Sequence, residues 1–222
     1  MTFCTRIKFI MLLEGLAILN FDKRKIIVCT LLVISLAFNL YNYNKVNELI
    51  DKNKRQNHNL VLETITYMES YFTELIVYLE EAKKEDFDDI KETELREQVN
   101  KNFILMTKMS DNIDPHETSY LFGEDDKSLE VYNNIKNLVD TISLMRVSPP
   151  LFMADLNRLG NFAENNGYLE EFLVGYRTKV MELKETLDYK EPGLTQDEKK
   201  IIIEKTYEMN KTYWQWREDH IN

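Results

Sequence analysis

The chain has 222 residues, a net charge of −10 at pH 7, and only 6 Gly and 4 Pro; so little turn chemistry favours long helices over hairpins. Both cysteines, Cys4 and Cys29, lie before residue 44, which excludes a disulfide framework, a thiolate metal site and a cysteine nucleophile from residues 44–222. That same part carries 23 Lys and Arg against 36 Asp and Glu, a balance of −13 that repels nucleic acid and anionic surfaces.

Residues 1–25 read as a cytoplasmic N-terminal segment. The stretch 9–21 is apolar, but Glu14 interrupts it and it is too short to span a bilayer. Glu14-Gly15 can be encoded by a purine-rich run resembling a ribosome-binding site, and Leu19 by a TTG start. Translation is therefore read as beginning at either Met1 or Leu19. The Lys, Asn, Ile and Glu bias points to an AT-rich bacterial genome.

Residues 26–43 carry no charge and follow directly on Lys23-Arg24-Lys25. The apolar core, 26–41, is 16 residues long, against roughly 20 for a spanning helix. Lys25 snorkelling at one end, with Tyr41 and Tyr43 as an interfacial belt at the other, extends it. The basic cluster predicts a cytoplasmic N-terminus, and hence a single-pass signal-anchor with the C-terminal domain outside the cell membrane. The alternative is a secreted protein cleaved near Ala37, where Ser35-Leu36-Ala37 supplies small residues. The apolar run through Phe38, Leu40 and Tyr41 favours the uncleaved anchor.

Residues 44–59 form a polar stalk without an apolar stripe. Residues 60–222 then show four stripes at alternating spacings of three and four, each an a/d face. The first is Val61, Ile65, Met68, Phe72, Leu75 and Leu79. The second is Leu95, Val99, Met106, Met109 and Ile113, on a helix predicted over about 92–112 and broken by Asp114-Pro115. A loop over 114–123 follows. The third stripe is Val131, Ile135, Leu138, Ile142 and Met145, stopped at Ser148-Pro149-Pro150. A short helix through Phe152, Leu156 and Leu159 is expected to be interrupted at Gly160 and again at Asn165-Asn166-Gly167. The fourth stripe is Leu169, Leu173, Tyr176, Val180, Leu183 and Leu187. Thr195-Gln196-Asp197-Glu198 is a capping box opening a last helix with Ile202, Met209, Tyr213 and Trp216. The predicted fold is all-α: one N-terminal transmembrane helix followed by an antiparallel helical bundle of four to six helices.

No catalytic set emerges. Neither His58, His116 nor His220 has Glu three residues before it, and there is no Gly-rich phosphate loop. Asp88, Asp89 and Glu92 resemble an aspartate-rich magnesium motif, but no second one accompanies them, and they read as an acidic helix end. The acidic residues about the 114–123 loop, with His116 and Glu117, lack the register of a calcium loop and read as caps and surface charge. The expectation is no enzyme, no cofactor and no metal.

Aromatic residues make up the candidate partner or ligand surface: Tyr67, Tyr71 and Tyr78 beside the first stripe, Tyr120 and Phe122 in the loop, and Tyr213, Trp214 and Trp216 near the end. Trp214 and Trp216 are two residues apart and cannot share a helix face, so one of them is expected to be exposed. These features predict a membrane-anchored interaction or regulatory module whose partner is another membrane protein, with self-association weak or absent in solution. The alternative is an extracytoplasmic sensor-type domain for a small cation or cationic compound.

Overall fold

Stripes at helical spacing require helices, and helices are what the chain forms. The computed structural model describes residues 23–84, 87–113, 126–147, 153, 155–165, 167–187 and 194–221. Every regular element among them is α-helical: α1 (Lys23–Ala82), α2 (Asp89–Asp111), α3 (Asp126–Val147), α4 (Leu156–Asn165), α5 (Tyr168–Glu185) and α6 (Gln196–Ile221). The chain divides into two units, residues 1–49 and 50–222.

In the first unit, the described part of α1 leaves Leu31, Leu32, Leu36, Phe38 and Tyr41 all exposed. This part of α1 is long and apolar enough to cross a membrane, and none of it is buried. The Thr30 hydroxyl donates to the Ile26 carbonyl at 2.9 Å, so that polar group is satisfied within the helix.

The second unit is built on one hydrophobic core. Burial in α1 begins at Asn57 and His58, inside the polar 44–59 segment, and all six residues of the first stripe are buried. Thr64, Tyr71 and Tyr78 are buried as well. They stand seven residues apart, in a second row beside the stripe. Tyr71 meets Phe103 of α2 at 5.7 Å between ring centroids, while its neighbour Phe72 meets Tyr176 of α5 at 5.1 Å. Hence α1 packs on two neighbours at once, one per row.

Ion pairs follow the same pairings. Glu69 of α1 and Lys83, just past its end, reach Lys184 and Glu170 of α5, at 2.6 and 2.5 Å. Glu81 accepts from Lys84 at 2.6 Å and from Lys91, at the start of α2. Lys205 of α6 reaches Glu182 of α5 at 2.8 Å. α3 packs on both α2 and α6, and α5 on α4 and α6.

Three helix starts have a local cause in a side-chain cap. The Asp88 carboxylate accepts from the Lys91 backbone N–H at 2.8 Å and caps α2. Both arms of the capping box at α6 are made. The Thr195 hydroxyl accepts from the Glu198 N–H at 3.2 Å, and the Glu198 carboxylate from the Thr195 N–H at 2.6 Å. Asp155 accepts from the Arg158 N–H at 3.3 Å at the head of α4.

Gly160 does not interrupt α4, contrary to the sequence expectation; the helix runs through it and ends at Asn165. A lone helical glycine costs about 1 kcal/mol. Burying Leu156, Leu159 and Ala163 on one face more than offsets that.

Candidate functional site

The aromatic residues singled out from the sequence separate into core and surface. Tyr71, Tyr78 and Tyr213 are buried core residues, and Tyr67 is half-buried at the core's edge. The Tyr71 phenol is pushed far above its ordinary range by burial, against a weaker opposing pull from the Arg146 guanidinium. That guanidinium sits 4.0 Å over the Phe103 ring. Tyr78 donates to the Asn157 amide oxygen at 3.4 Å, and its phenol is raised first by burial and then by Glu92. Tyr71 and Tyr78 are therefore part of the interior, not a docking face. Tyr120 and Phe122 lie outside the described residues.

Trp214 and Trp216 take opposite fates, as their spacing requires. Trp216 is 8% exposed and Trp214 44% exposed. Trp214 stands two turns from Tyr207, which is 70% exposed, so the two share the outer face of α6. The Arg217 guanidinium lies 5.3 Å over the Trp214 ring.

Trp216 points the other way, into an open groove of about 340 Å³ between α5 and α6. Its ring packs on Phe172 at 4.8 Å and stacks on His220 at 5.1 Å with 19° between planes. His220 also meets Tyr168 at 5.1 Å, and its Nδ1 is 2.8 Å from the Trp216 carbonyl. Phe172 continues to Tyr176 at 5.6 Å, and Tyr176 to Phe72. The rings thus form one connected wall from the exposed Tyr168 to the core.

Polar groups punctuate this wall. Glu171, Gly175 and Lys179 of α5 and Thr212 of α6 complete the lining. The Tyr176 hydroxyl and the Trp216 indole N–H are buried without a hydrogen-bond partner. Burial first, and the nearby Tyr213 second, hold the Tyr176 phenol far above the ordinary range, so it is neutral at physiological pH. A second depression, about 380 Å³, lies over the Glu69–Lys184 ion pair and has no aromatic wall.

Sequence reasoning named Trp216 and Tyr176 but missed Tyr168, Phe172, Glu171, Gly175 and His220 as one site. The signal was present as two i, i+4 rows, 168–172–176 and 212–216–220, on different helices. Among the described residues no cluster of His, Cys, Asp and Glu is arranged to hold a metal ion. Comparison with protein-family models, with curated proteins and with solved structures found no match.

Proposed function

We propose that this chain is a single-pass membrane-anchored interaction module, its helical domain outside the cytoplasm and its partner another membrane protein. The observation that carries this reading is the aromatic outer face of α6. Tyr207 and Trp214 are large, exposed and two turns apart, and exposed aromatics of this kind are enriched in protein interfaces. The uncovered apolar part of α1 supports an anchor by its length and composition, and Lys23-Arg24-Lys25 supports the orientation.

The domain reads as an antiparallel bundle. Successive pairs from α1, and from Lys83 just past its end, to α5 (69 with 184, 72 with 176 and 83 with 170) descend in one helix as they ascend in the other. The α5–α6 pairs 182 with 205 and 172 with 216 do the same. Such a domain offers rigid helix faces for docking.

The test is photo-crosslinking in intact cells from position 214, with position 201 on the same helix as reference. A discrete protein adduct from 214 is the expected result. Adducts to lipid alone, from 214 and from 207, would contradict the reading.

A second reading, a ligand-binding domain for a small cation or cationic compound, is favoured by the α5–α6 groove and by the acidic balance of residues 44–222. Thermal melts of the full chain with divalent cations, polyamines and organic ammonium ions test it. A ligand at a hundred times its Kd stabilises by about 2.7 kcal/mol, and a flat response to the whole panel would remove this reading.

A further inference from the structure

We propose that the α5–α6 groove binds an organic ammonium ion, its apolar body along the groove and its charge at the Tyr168–Glu171 end. This rests on the ligand-binding reading and assigns that reading a site and a ligand class.

Gly175 is the first reason. Glycine in the middle of a helix is destabilising relative to alanine. Packing does not demand it here, since a Cβ at this position would meet nothing within 4 Å. What the missing side chain does is leave the groove open beside Phe172 and Trp216. The walls, in turn, are already set. Trp216 is held between Phe172 and His220 by ring contacts within the domain, so little ordering is needed when a ligand enters. About 340 Å³ suits a small organic molecule.

Charge decides which molecule. Glu171 and Lys179 lie eight residues apart on α5, about 12 Å along the axis, one toward each end of the groove. Glu182 is taken by Lys205, so Lys179 keeps its charge at the far end of the groove. Glu170 is taken by Lys83, whereas no described residue pairs with Glu171. The charge at the Tyr168–Glu171 end is therefore negative, and the positive one lies at the other end. Beside Glu171 stands Tyr168, 56% exposed, whose ring face attracts a cation. The acidic balance of the domain further raises the local concentration of cations.

The test uses the full chain in neutral-lipid nanodiscs with ¹⁵N-labelled tryptophan. The chain has 2 Trp, hence two indole signals. Three probes share one ring and differ in their end group: 2-phenylethylamine as the ammonium, 2-phenylethanol and 3-phenylpropanoate. The ammonium should shift the Trp216 signal saturably and leave Trp214 in place. The alcohol should bind about tenfold more weakly, and the carboxylate should not bind. G175L should abolish the shift, while G175A, adding one methyl, keeps it. E171Q should weaken ammonium binding about fivefold and cut its preference over the alcohol to about twofold. If G175L melts below the wild type, E171Q, a substitution outside the core, decides alone.

An ammonium that shifts Trp216 equally in wild type and E171Q overturns the proposal. So does the absence of a Trp216 shift with all three probes. Should the ammonium or a polyamine raise the melting temperature with Trp216 unmoved, the ligand-binding reading stands and this groove is wrong. Should neither response occur, both fail.

Discussion

Thr195 and Glu198 show how much a single pair of residues can settle. Their reciprocal hydrogen bonds start α6 where the chain would otherwise leave donors unpaired. T195A should therefore lower the stability of the full chain by about 1 kcal/mol, read as a shift in denaturant midpoint without a change of slope. Glu182 is a different case, an exposed carboxylate held below its ordinary value of 4.5 first by the hydrogen bond from Lys205. A carboxyl whose folded pKa is depressed contributes stability above its unfolded pKa and loses it as pH falls through the folded value. The gap in midpoint between wild type and E182Q should accordingly be constant at neutral pH. It should close as pH drops below about 4.5. A gap that widened in acid would contradict the pairing. These residue-level features were legible where chemistry is local: the capping box and the Asp88 cap follow from short sequence patterns. The groove was not, because residues 168–179 and 212–220 meet only once α5 and α6 are in register.

At the scale of the element, α1 explains the main difference between reading and result. An a/d stripe names one partner face, and residues 61, 65, 68, 72, 75 and 79 are buried as that stripe predicts. Tyr71 and Tyr78 fall beside it and so read, with Tyr67, as a surface row. The first two are buried because α1 contacts α2 on that side and α5 on the other. Two neighbours widen the buried arc beyond what one stripe encodes. The consequence is measurable. Y71A should cost about 3–5 kcal/mol, as expected for deleting a fully buried aromatic ring. Y67A, one turn earlier and half-buried, should cost no more than about 1 kcal/mol. Near-equal losses in chemical denaturation would show that the second row does not pack as described. The behaviour of α4 teaches the converse. Gly160 reads locally as a breaker, yet Leu156, Leu159 and Ala163 hold the helix together through tertiary burial, which propensity alone does not contain.

For the whole molecule, composition was informative about class and silent about partners. Scarce Gly and Pro announced helices, and the uncharged run after Lys23-Arg24-Lys25 announced a helix long and apolar enough to cross a membrane. Which helix faces remain free was set by packing. With Tyr71 in the core, Tyr207 and Trp214 remain as exposed aromatics on α6, and anchoring would make even a weak contact between copies there effective by confining them to one surface. The central proposal, an anchored interaction module facing away from the cytoplasm, requires that the domain stand outside it. A cysteine placed at exposed Tyr207, in a chain whose Cys4 and Cys29 are replaced by serine, reads this directly. A membrane-impermeant maleimide applied to intact cells should label Y207C on a protein that remains with the membrane fraction. Labelling that appears only after the cells are opened would contradict the account.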